Sequence, residues 1–465
     1  MKTKITNIFP QANNRTNQSF KTMFILQLVM LLVSIVSLNA MTYPVPPPQL
    51  TLEGKLNCPV ISEHGGTAYL QLTVRTPEGT KEISRRPVNL AVVIDRSGSM
   101  SDQKKMDFAK KAFATLIDQL KPEDIVSLVV YDDVVDVLRR AKKVGSDRSE
   151  IRRMLDEISP RGSTNLGGGL MEGLRQAERY AGKEYVNRVV LLSDGLANVG
   201  VTDPGELQRT ARRYRSRSIS VSTMGVGLDY NENLMMALSE SGGGNYYFIE
   251  HPSSLTSIVR KELDMTSSVA AQNASISITL GDHVSFSGTL GCDHSTESGR
   301  IIIPIGDLYS GETREFTVEL QIPAGSGKRS VASGELNFES RTLSSSVPSF
   351  SAGVRYSRDV AEVNRNRDLE TQAKADIAVS AKKVEQAMEA IDNGDQAAAA
   401  SYLMDARETM STSPAASASG MTGAAIRVQK EKVESYERTV REESDSRRAK
   451  KSIQYDNYRT RTNKK

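Results

Sequence analysis

The 465-residue sequence contains no tryptophan, and aromatic residues make up 5% of it. A binding surface built from large aromatic side chains is therefore not expected. The formal net charge is only +4, and a nucleic-acid partner is not predicted. A chain of this length exceeds what one hydrophobic core organises, so roughly two to four domains are expected.

After the first 40 residues, the sequence has no apolar run long enough to cross a bilayer. Within those 40, four basic residues precede an apolar segment that ends in small and polar residues near Ala40. This order predicts a secretory signal peptide over residues 1–40. An uncleaved signal anchor is the alternative. Either interpretation places the body of the protein outside the cytoplasm, as a secreted, periplasmic or cell-surface protein.

Cysteine is scarce: Cys58 and Cys292 are the two in the chain. An even count in an oxidising compartment favours a disulfide, and both residues fall in strand-like sequence. Such a bridge would stabilise the fold by roughly 5 kcal/mol on the loop-entropy model. Two separate buried thiols are the alternative.

Three stretches differ in their periodicity. Residues 41–87 alternate apolar and polar side chains after a proline-rich start, and residues 268–357 do the same between Gly and Pro turns. Between them, residues 88–267 alternate fully apolar strand-like runs with helical ones. The predicted fold is α/β, a doubly wound, mostly parallel sheet with helices on both faces, inserted into a β-sandwich.

The remaining sequence is helical in character. Residues 358–412 predict a helical hairpin around the turn sequence Asp-Asn-Gly-Asp, residues 413–425 a flexible linker, and residues 426–465 a charged helix with a basic tail. The tail is either solvated or in contact with an anionic surface. A coiled-coil role in oligomer formation is also open, although heptads are not sustained.

Polar residues follow two of the apolar strands of the α/β segment. Asp95 ends the run Val-Asn-Leu-Ala-Val-Val-Ile-Asp, and Ser97 and Ser99 come directly after it; Asp194 ends a second run, and Thr164 precedes a helix. In open parallel sheets, ligands bind beyond the carboxyl ends of the strands. We therefore expect these five side chains at one rim of the sheet.

Two ionised carboxylates on one rim repel each other, and a cation bound between them offsets this repulsion. The five candidates offer oxygen atoms alone, two carboxylates and three hydroxyls, without histidine or cysteine. Such a donor set suits Mg²⁺, Mn²⁺ or Ca²⁺ rather than Zn²⁺. The alternative is that these residues merely cap strands and helices.

The sequences Asp-Arg-Ser-Gly-Ser-Met, Gly-Ser-Thr and Ser-Asp-Gly, in this order and spacing, resemble the von Willebrand factor type A domain and its metal-ion-dependent adhesion site. The resemblance covers residues 88–267. It implies that Asp95, Ser97, Ser99, Thr164 and Asp194 hold a divalent cation, directly or through water, and that an acidic side chain of a protein partner completes the coordination shell. The flanking strands and the export signal resemble secreted bacterial members of the family.

Two other functions are alternatives to metal-dependent binding. A metal-dependent hydrolase needs a general base, and His251 is the one histidine within residues 88–267; no catalytic residue is assigned and an enzyme is not predicted. A structural scaffold for envelope assembly, in which the ion only supports the fold, is the other alternative.

Overall fold

The structure of the protein is a computed structural model. It contains no helix, in the part it describes, with the length and apolar character that crossing a bilayer requires. The signal peptide predicted over residues 1–40 lies outside the described residues, as do Lys464 and Lys465 of the basic tail. The described residues are 49–78, 86–182, 184–340, 343, 347–442 and 446–462.

In the described part of the chain, three strands precede the α/β domain. In β1, buried residues lie between exposed or half-buried ones, so one face of this strand points toward a core. In β3, Leu70, Leu72 and Val74 are fully buried. The strands are β1 (Thr51–Leu56), β2 (Val60–Ser62) and β3 (Gly66–Arg75).

The α/β domain has a six-stranded sheet in the order β6-β5-β4-β7-β8-β9, in which β6 alone runs antiparallel to its neighbour. Strands β4, β5, β7 and β8 are buried along their whole length, because helices cover both faces. The strands are β4 (Val88–Asp95), β5 (Ile125–Tyr131), β6 (Val135–Lys143), β7 (Val186–Ser193), β8 (Ile219–Val226) and β9 (Gly243–Ile249). The helices are α1 (Lys105–Gln119), α2 (Arg148–Asp156), α3 (Leu166–Glu178), α4 (Pro204–Arg215), α5 (Glu232–Ser241) and α6 (Leu255–Ser267).

The chain then returns to the strands that precede the domain. One sheet has the order β1-β3-β14-β11 and the other β12-β13-β10-β15-β16-β2, and the two share one hydrophobic core. The predicted α/β domain inserted into a β-sandwich is therefore confirmed. The added strands are β10 (Val269–Leu280), β11 (Ser285–Leu290), β12 (Ser295–Glu297), β13 (Arg300–Tyr309), β14 (Thr313–Ile322), β15 (Lys328–Glu339) and β16 (Ser349–Ser357).

The predicted disulfide is wrong, because both Cys58 and Cys292 are free. Cys58 follows β1 and Cys292 follows β11, the two edge strands of the four-stranded sheet. Three strand spacings separate those edges, about 14 Å, whereas a disulfide needs Cα atoms within about 7 Å. Cys58 is buried and Cys292 is half-buried, and the two thiols are separate. Burial raises the pKa of each to about 11.

A buried polar network joins the α/β domain to the sandwich. Arg188 of β7 is fully buried; its Nη2 donates to Asp307 Oδ2 of β13 at 2.8 Å and its Nη1 to Ser222 Oγ of β8 at 3.1 Å. Glu262 of α6 accepts from Ser222 Oγ at 2.5 Å and from Asn245 Nδ2 at 2.9 Å. The network therefore ties the last helix of the domain to a sandwich strand.

Five helices follow the sandwich among the described residues. The linker predicted at 413–425 is wrong, because this segment is packed and partly helical. Ser413 Oγ donates to Asp376 Oδ2 at 2.6 Å, Ala415 is fully buried, and a short 3-10 turn spans Pro414–Ser417. The small side chains that suggested flexibility instead allow close packing. The helices are α7 (Val360–Arg365), α8 (Leu369–Asp392), α9 (Gln396–Thr412), α10 (Met421–Glu442) and α11 (Ser446–Thr462).

The charged segment predicted as one helix forms two, and α11 packs on the α/β domain. The Tyr455 and Tyr458 rings meet Tyr246 edge to face, and Lys451 Nζ lies 4.2 Å from the centre of the Tyr230 ring. Five of the basic residues that suggested a solvated tail form ion pairs within the chain. These pairs are Arg447–Asp229, Arg448–Glu250, Lys450–Glu232, Lys451–Glu232 and Arg461–Glu240.

Candidate metal centre

The sheet brings the two predicted aspartates to one rim. Asp95 is the last residue of β4, and Asp194 directly follows β7. These strands are parallel neighbours, paired in the register Ile94↔Leu192. Both carboxylates are fully buried, so the strands hold two negative charges close together and away from solvent.

Hydrogen bonds link these carboxylates to the hydroxyls between them. Asp95 Oδ1 accepts from the backbone N–H of Ser97 at 2.8 Å, and the hydroxyls of Ser97 and Ser99 lie 3.2 Å apart. Ser99 Oγ in turn donates to Asp194 Oδ1 at 2.8 Å. Asp95 Oδ2 accepts from Ser193 Oγ at 2.7 Å, a contact that the sequence analysis missed although Ser193 directly precedes Asp194.

Thr164 joins this group from a third loop. Its backbone N–H donates to Asn198 Oδ1 at 2.9 Å, and its carbonyl accepts from the Asn198 N–H at 3.1 Å, which holds the loop after β7 against it. A Cβ atom at Gly195 would lie 3.2 Å from Thr164 Oγ1 and 3.6 Å from Ser99 Oγ. Hydrogen bonds connect Asp95, Ser97, Ser99 and Asp194, and Thr164 lies near Ser99 beside Gly195, so the structure brings the five predicted residues together.

A network on the next strand positions the Thr164 loop. Asp132, just after β5, accepts from Arg96 Nε at 2.9 Å and from Arg161 Nε at 2.7 Å. Although burial opposes its ionisation, the hydrogen bonds from Arg161, the Val134 N–H and Arg96 lower the pKa of Asp132. The Arg161 N–H also donates to the Arg96 carbonyl at 2.7 Å. The loop before Thr164 is thereby tied to the loop that carries Ser97.

The carboxylate of Asp95 is in an environment that disfavours its charge. Burial, the largest cause, raises the pKa of Asp95 to about 6, and the negative charge of Asp194 adds to the shift. Within the described residues, no group of three or more His, Cys, Asp or Glu side chains could hold a metal, so a cation here would depend on hydroxyl as well as carboxylate oxygens. That donor set fits a hard cation such as Mg²⁺, Mn²⁺ or Ca²⁺.

Lys105 is a functional residue that the sequence analysis missed. Its Nζ donates to Asp194 Oδ2 at 2.7 Å, and the side chain is 4% exposed. The sequence held a signal of its burial. Lys105 lies four residues before the buried Ala109 in α1, and that spacing puts both residues on one helix face. The ammonium offsets one of the two carboxylates, so one negative charge is left for a cation to balance.

We expect the Lys105→Met variant to depend on magnesium for its stability. Removing one partner of a buried ion pair costs about 3–5 kcal/mol, so the variant should melt several degrees below wild type in EDTA. Magnesium should restore part of that loss by taking over the charge of Asp194. Thermal melts with and without Mg²⁺ check this, with Lys104→Met, at an exposed neighbour, as the control. An equal magnesium response in both variants would contradict the expectation.

Known proteins resemble this chain in sequence and in fold. Residues 89–261 match the family model of the von Willebrand factor type A domain. The uncharacterized protein YfbK of Escherichia coli (strain K12) is 31% identical over 38% of this chain and 30% of its own length. The uncharacterized protein sll0103 of Synechocystis is 28% identical over 55% of this chain and 56% of its own length. The matches thus span between about a third and just over half of these relatives.

The fold likeness extends beyond the α/β domain. A von Willebrand factor type A structure from Catenulispora acidiphila aligns with 91% of this chain and 99% of its own, with a TM-score of 0.69 at 15% identity. At that identity the likeness shows the fold alone. The sandwich and the helices therefore belong to an arrangement seen in another protein.

Proposed function

The chain contains a von Willebrand factor type A domain at residues 89–261, and from this premise we propose that it is a non-enzymatic, metal-dependent binding protein. A divalent cation is held by Asp95, Ser97, Ser99, Thr164 and Asp194, and it coordinates an acidic side chain of a protein partner. Mg²⁺ is the proposed ion, with Mn²⁺ and Ca²⁺ as alternatives of the same chemistry.

One observation carries the proposal: oxygen side chains from three separate loops meet at the carboxyl-end rim around two fully buried aspartates. Burying carboxylates is costly unless they are paired. Among the described residues, Lys105 pairs with Asp194, while Asp95 receives hydrogen bonds and no ion pair. A bound cation supplies the missing positive charge and a coordination position for an incoming carboxylate.

The surroundings of the site support a protein partner. Leu196, in the loop after β7, and Val134, in the loop after β5, are large apolar residues with exposed fractions of 57% and 50%. Both loops lie at the rim that carries the metal centre. Exposed apolar side chains beside a polar site are typical of surfaces that bind proteins.

A hydrolytic function receives less support. His251, the histidine within the domain, is exposed and follows the edge strand β9, which β8 separates from β7. It stands away from the strands that carry the two aspartates. We therefore assign no general base and propose binding rather than catalysis.

We propose an extracytoplasmic location, in the periplasm, at the cell surface or secreted. Residues 1–40, in which basic residues precede an apolar segment, support this location. The proposed protein partner lies in the same compartment.

Selection of displayed random peptides in the presence of Mg²⁺ tests the proposed function. Peptides that bind should carry an Asp or Glu whose change to Asn or Gln weakens binding at least about tenfold, since the cation takes a carboxylate. The Thr164→Ala variant should lose these peptides, while Asp102→Asn, at an exposed carboxylate of the neighbouring turn, should keep them. Binding that persists in EDTA, or without an acidic residue, would contradict the proposal. A domain that unfolds in EDTA would favour the scaffold alternative.

A further inference from the structure

A small cavity lies where the α/β domain, the sandwich and α11 meet. Its volume is about 50 Å³, and its lining includes three arginines, one from each part: Arg215 of α4, Arg314 of β14 and Arg461 of α11. Arg215 ends α4 and packs against Gly243, where β9 begins. The cavity is therefore at the opposite end of the sheet from the metal centre.

Two of these guanidinium groups are buried without a full set of partners. Arg215 is 9% exposed and Arg314 is 5% exposed. Arg215 Nη1 donates to the Glu240 carbonyl at 3.3 Å, whereas its Nη2 has no hydrogen-bond partner among the described residues. Arg314 Nε and Nη1 have no hydrogen-bond partner there either; Arg314 forms an ion pair with Glu312, in which Nη1 lies 3.6 Å from Oε1. Buried donors without acceptors destabilise a fold, because they have lost water and gained nothing in return.

The acidic residues that line the cavity pair with bases other than Arg215 and Arg314. Glu240 pairs with Arg461, which also lines the cavity. Asp293 pairs with Arg212 at 3.2 Å, and Glu315 pairs with Lys374 at 2.8 Å. Among the described residues, no lining carboxylate therefore forms an ion pair with Arg215 or Arg314.

The position of Arg215 disfavours its charge. Burial is the main cause that lowers the pKa of Arg215 to about 10; the negative charge of Asp307 opposes this shift, and the positive charge of Arg314 adds to it. Two guanidinium groups that repel each other in a buried place are stabilised by an anion between them.

We propose that this cavity binds a small oxyanion of the phosphate or sulfate class, held by Arg215, Arg314 and Arg461. A cavity of about 50 Å³ has room for roughly four water molecules, which matches the four oxygen atoms of such an ion. Guanidinium groups recognise oxyanions through their planar pairs of N–H donors. Because each arginine comes from a different part of the fold, the ion connects α11 to the α/β domain and the sandwich.

Equilibrium dialysis of the full chain with radiolabelled inorganic phosphate, at constant ionic strength in chloride, tests this proposal. We expect saturable uptake of about one phosphate per chain, with sulfate competing for it. The Arg314→Met variant should lose the uptake, and Arg213→Met, at an exposed arginine of α4, should keep it. Absence of saturable uptake by the wild type, or unchanged uptake by Arg314→Met, would overturn the proposal.

A second variant covers the case in which Arg314→Met does not fold. Arg314→Lys keeps the charge but loses the planar pair of donors, so it should bind phosphate about tenfold more weakly. The melting temperature of the wild type should also rise by about 2 °C for each tenfold increase of phosphate above its Kd. Equal shifts for wild type and Arg314→Lys would show general salt stabilisation and overturn the proposal. None of these results depends on the metal centre.

Discussion

The free energy of unfolding of the Arg188→Met variant is expected to be about 3–5 kcal/mol lower than that of the wild type. Arg188 is the positively charged centre of the network between the α/β domain and the sandwich. Its Nη2 lies 2.8 Å from Asp307 Oδ2, and its Nε lies 3.6 Å from Glu262 Oε1. Methionine fills a similar volume but removes the guanidinium that both buried carboxylates face, which is the costly outcome.

Urea denaturation followed by circular dichroism measures this loss. The matched control is Arg152→Met, because Arg152 of α2 pairs with Asp118 where both side chains are about half exposed. An exposed pair contributes at most about 1 kcal/mol, so the control should unfold close to the wild type. If the two variants lose equal stability, the buried network does not hold the domain to the sandwich as described.

The Asp95→Asn variant is expected to lose at least about 100-fold in affinity for Mg²⁺ or Mn²⁺. The amide has nearly the same size as the carboxylate but lacks the charge that a hard cation requires. Asp95 is fully buried, so water and salt screen its attraction to the ion very little.

Calorimetric titration of the variant with Mn²⁺ checks this expectation. Asp102→Asn is the control, because Asp102 lies in the same stretch between β4 and α1 but is exposed. It should bind the ion within about threefold of the wild type, since exposed charges are screened. Circular dichroism of both variants should match that of the wild type. Undiminished ion binding by a folded Asp95→Asn variant would remove Asp95 from the coordinating set.

Much of the fold could be predicted because the hydrophobic patterns are unambiguous. The runs that became β4, β5 and β7 are apolar throughout and alternate with helical periods, which favours a parallel sheet covered on both faces. The placement of Asp95 and Asp194 at one rim followed from the same pattern, because parallel neighbours end on the same side.

The missed or wrong features depend on contacts that the local sequence does not show. The strand order that separates Cys58 from Cys292 arises from long-range pairing, which an even cysteine count cannot reveal. No role was assigned to Lys105 from the sequence, and the neighbouring Asp194, which comes from a distant part of the chain, explains its burial. The alanine-rich stretch around Ala415 has the composition of a linker but fits against α8 and α10.

Titration of the metal-stripped wild-type chain with Mn²⁺, followed by the electron paramagnetic resonance signal of the free ion, tests the central claim most directly. The account predicts that one Mn²⁺ per chain is taken up and that excess Mg²⁺ displaces it, because the two ions use the same oxygen donors. A free-ion signal that grows in proportion to added Mn²⁺ from the first addition would contradict a metal-dependent binding site at Asp95, Ser97, Ser99, Thr164 and Asp194.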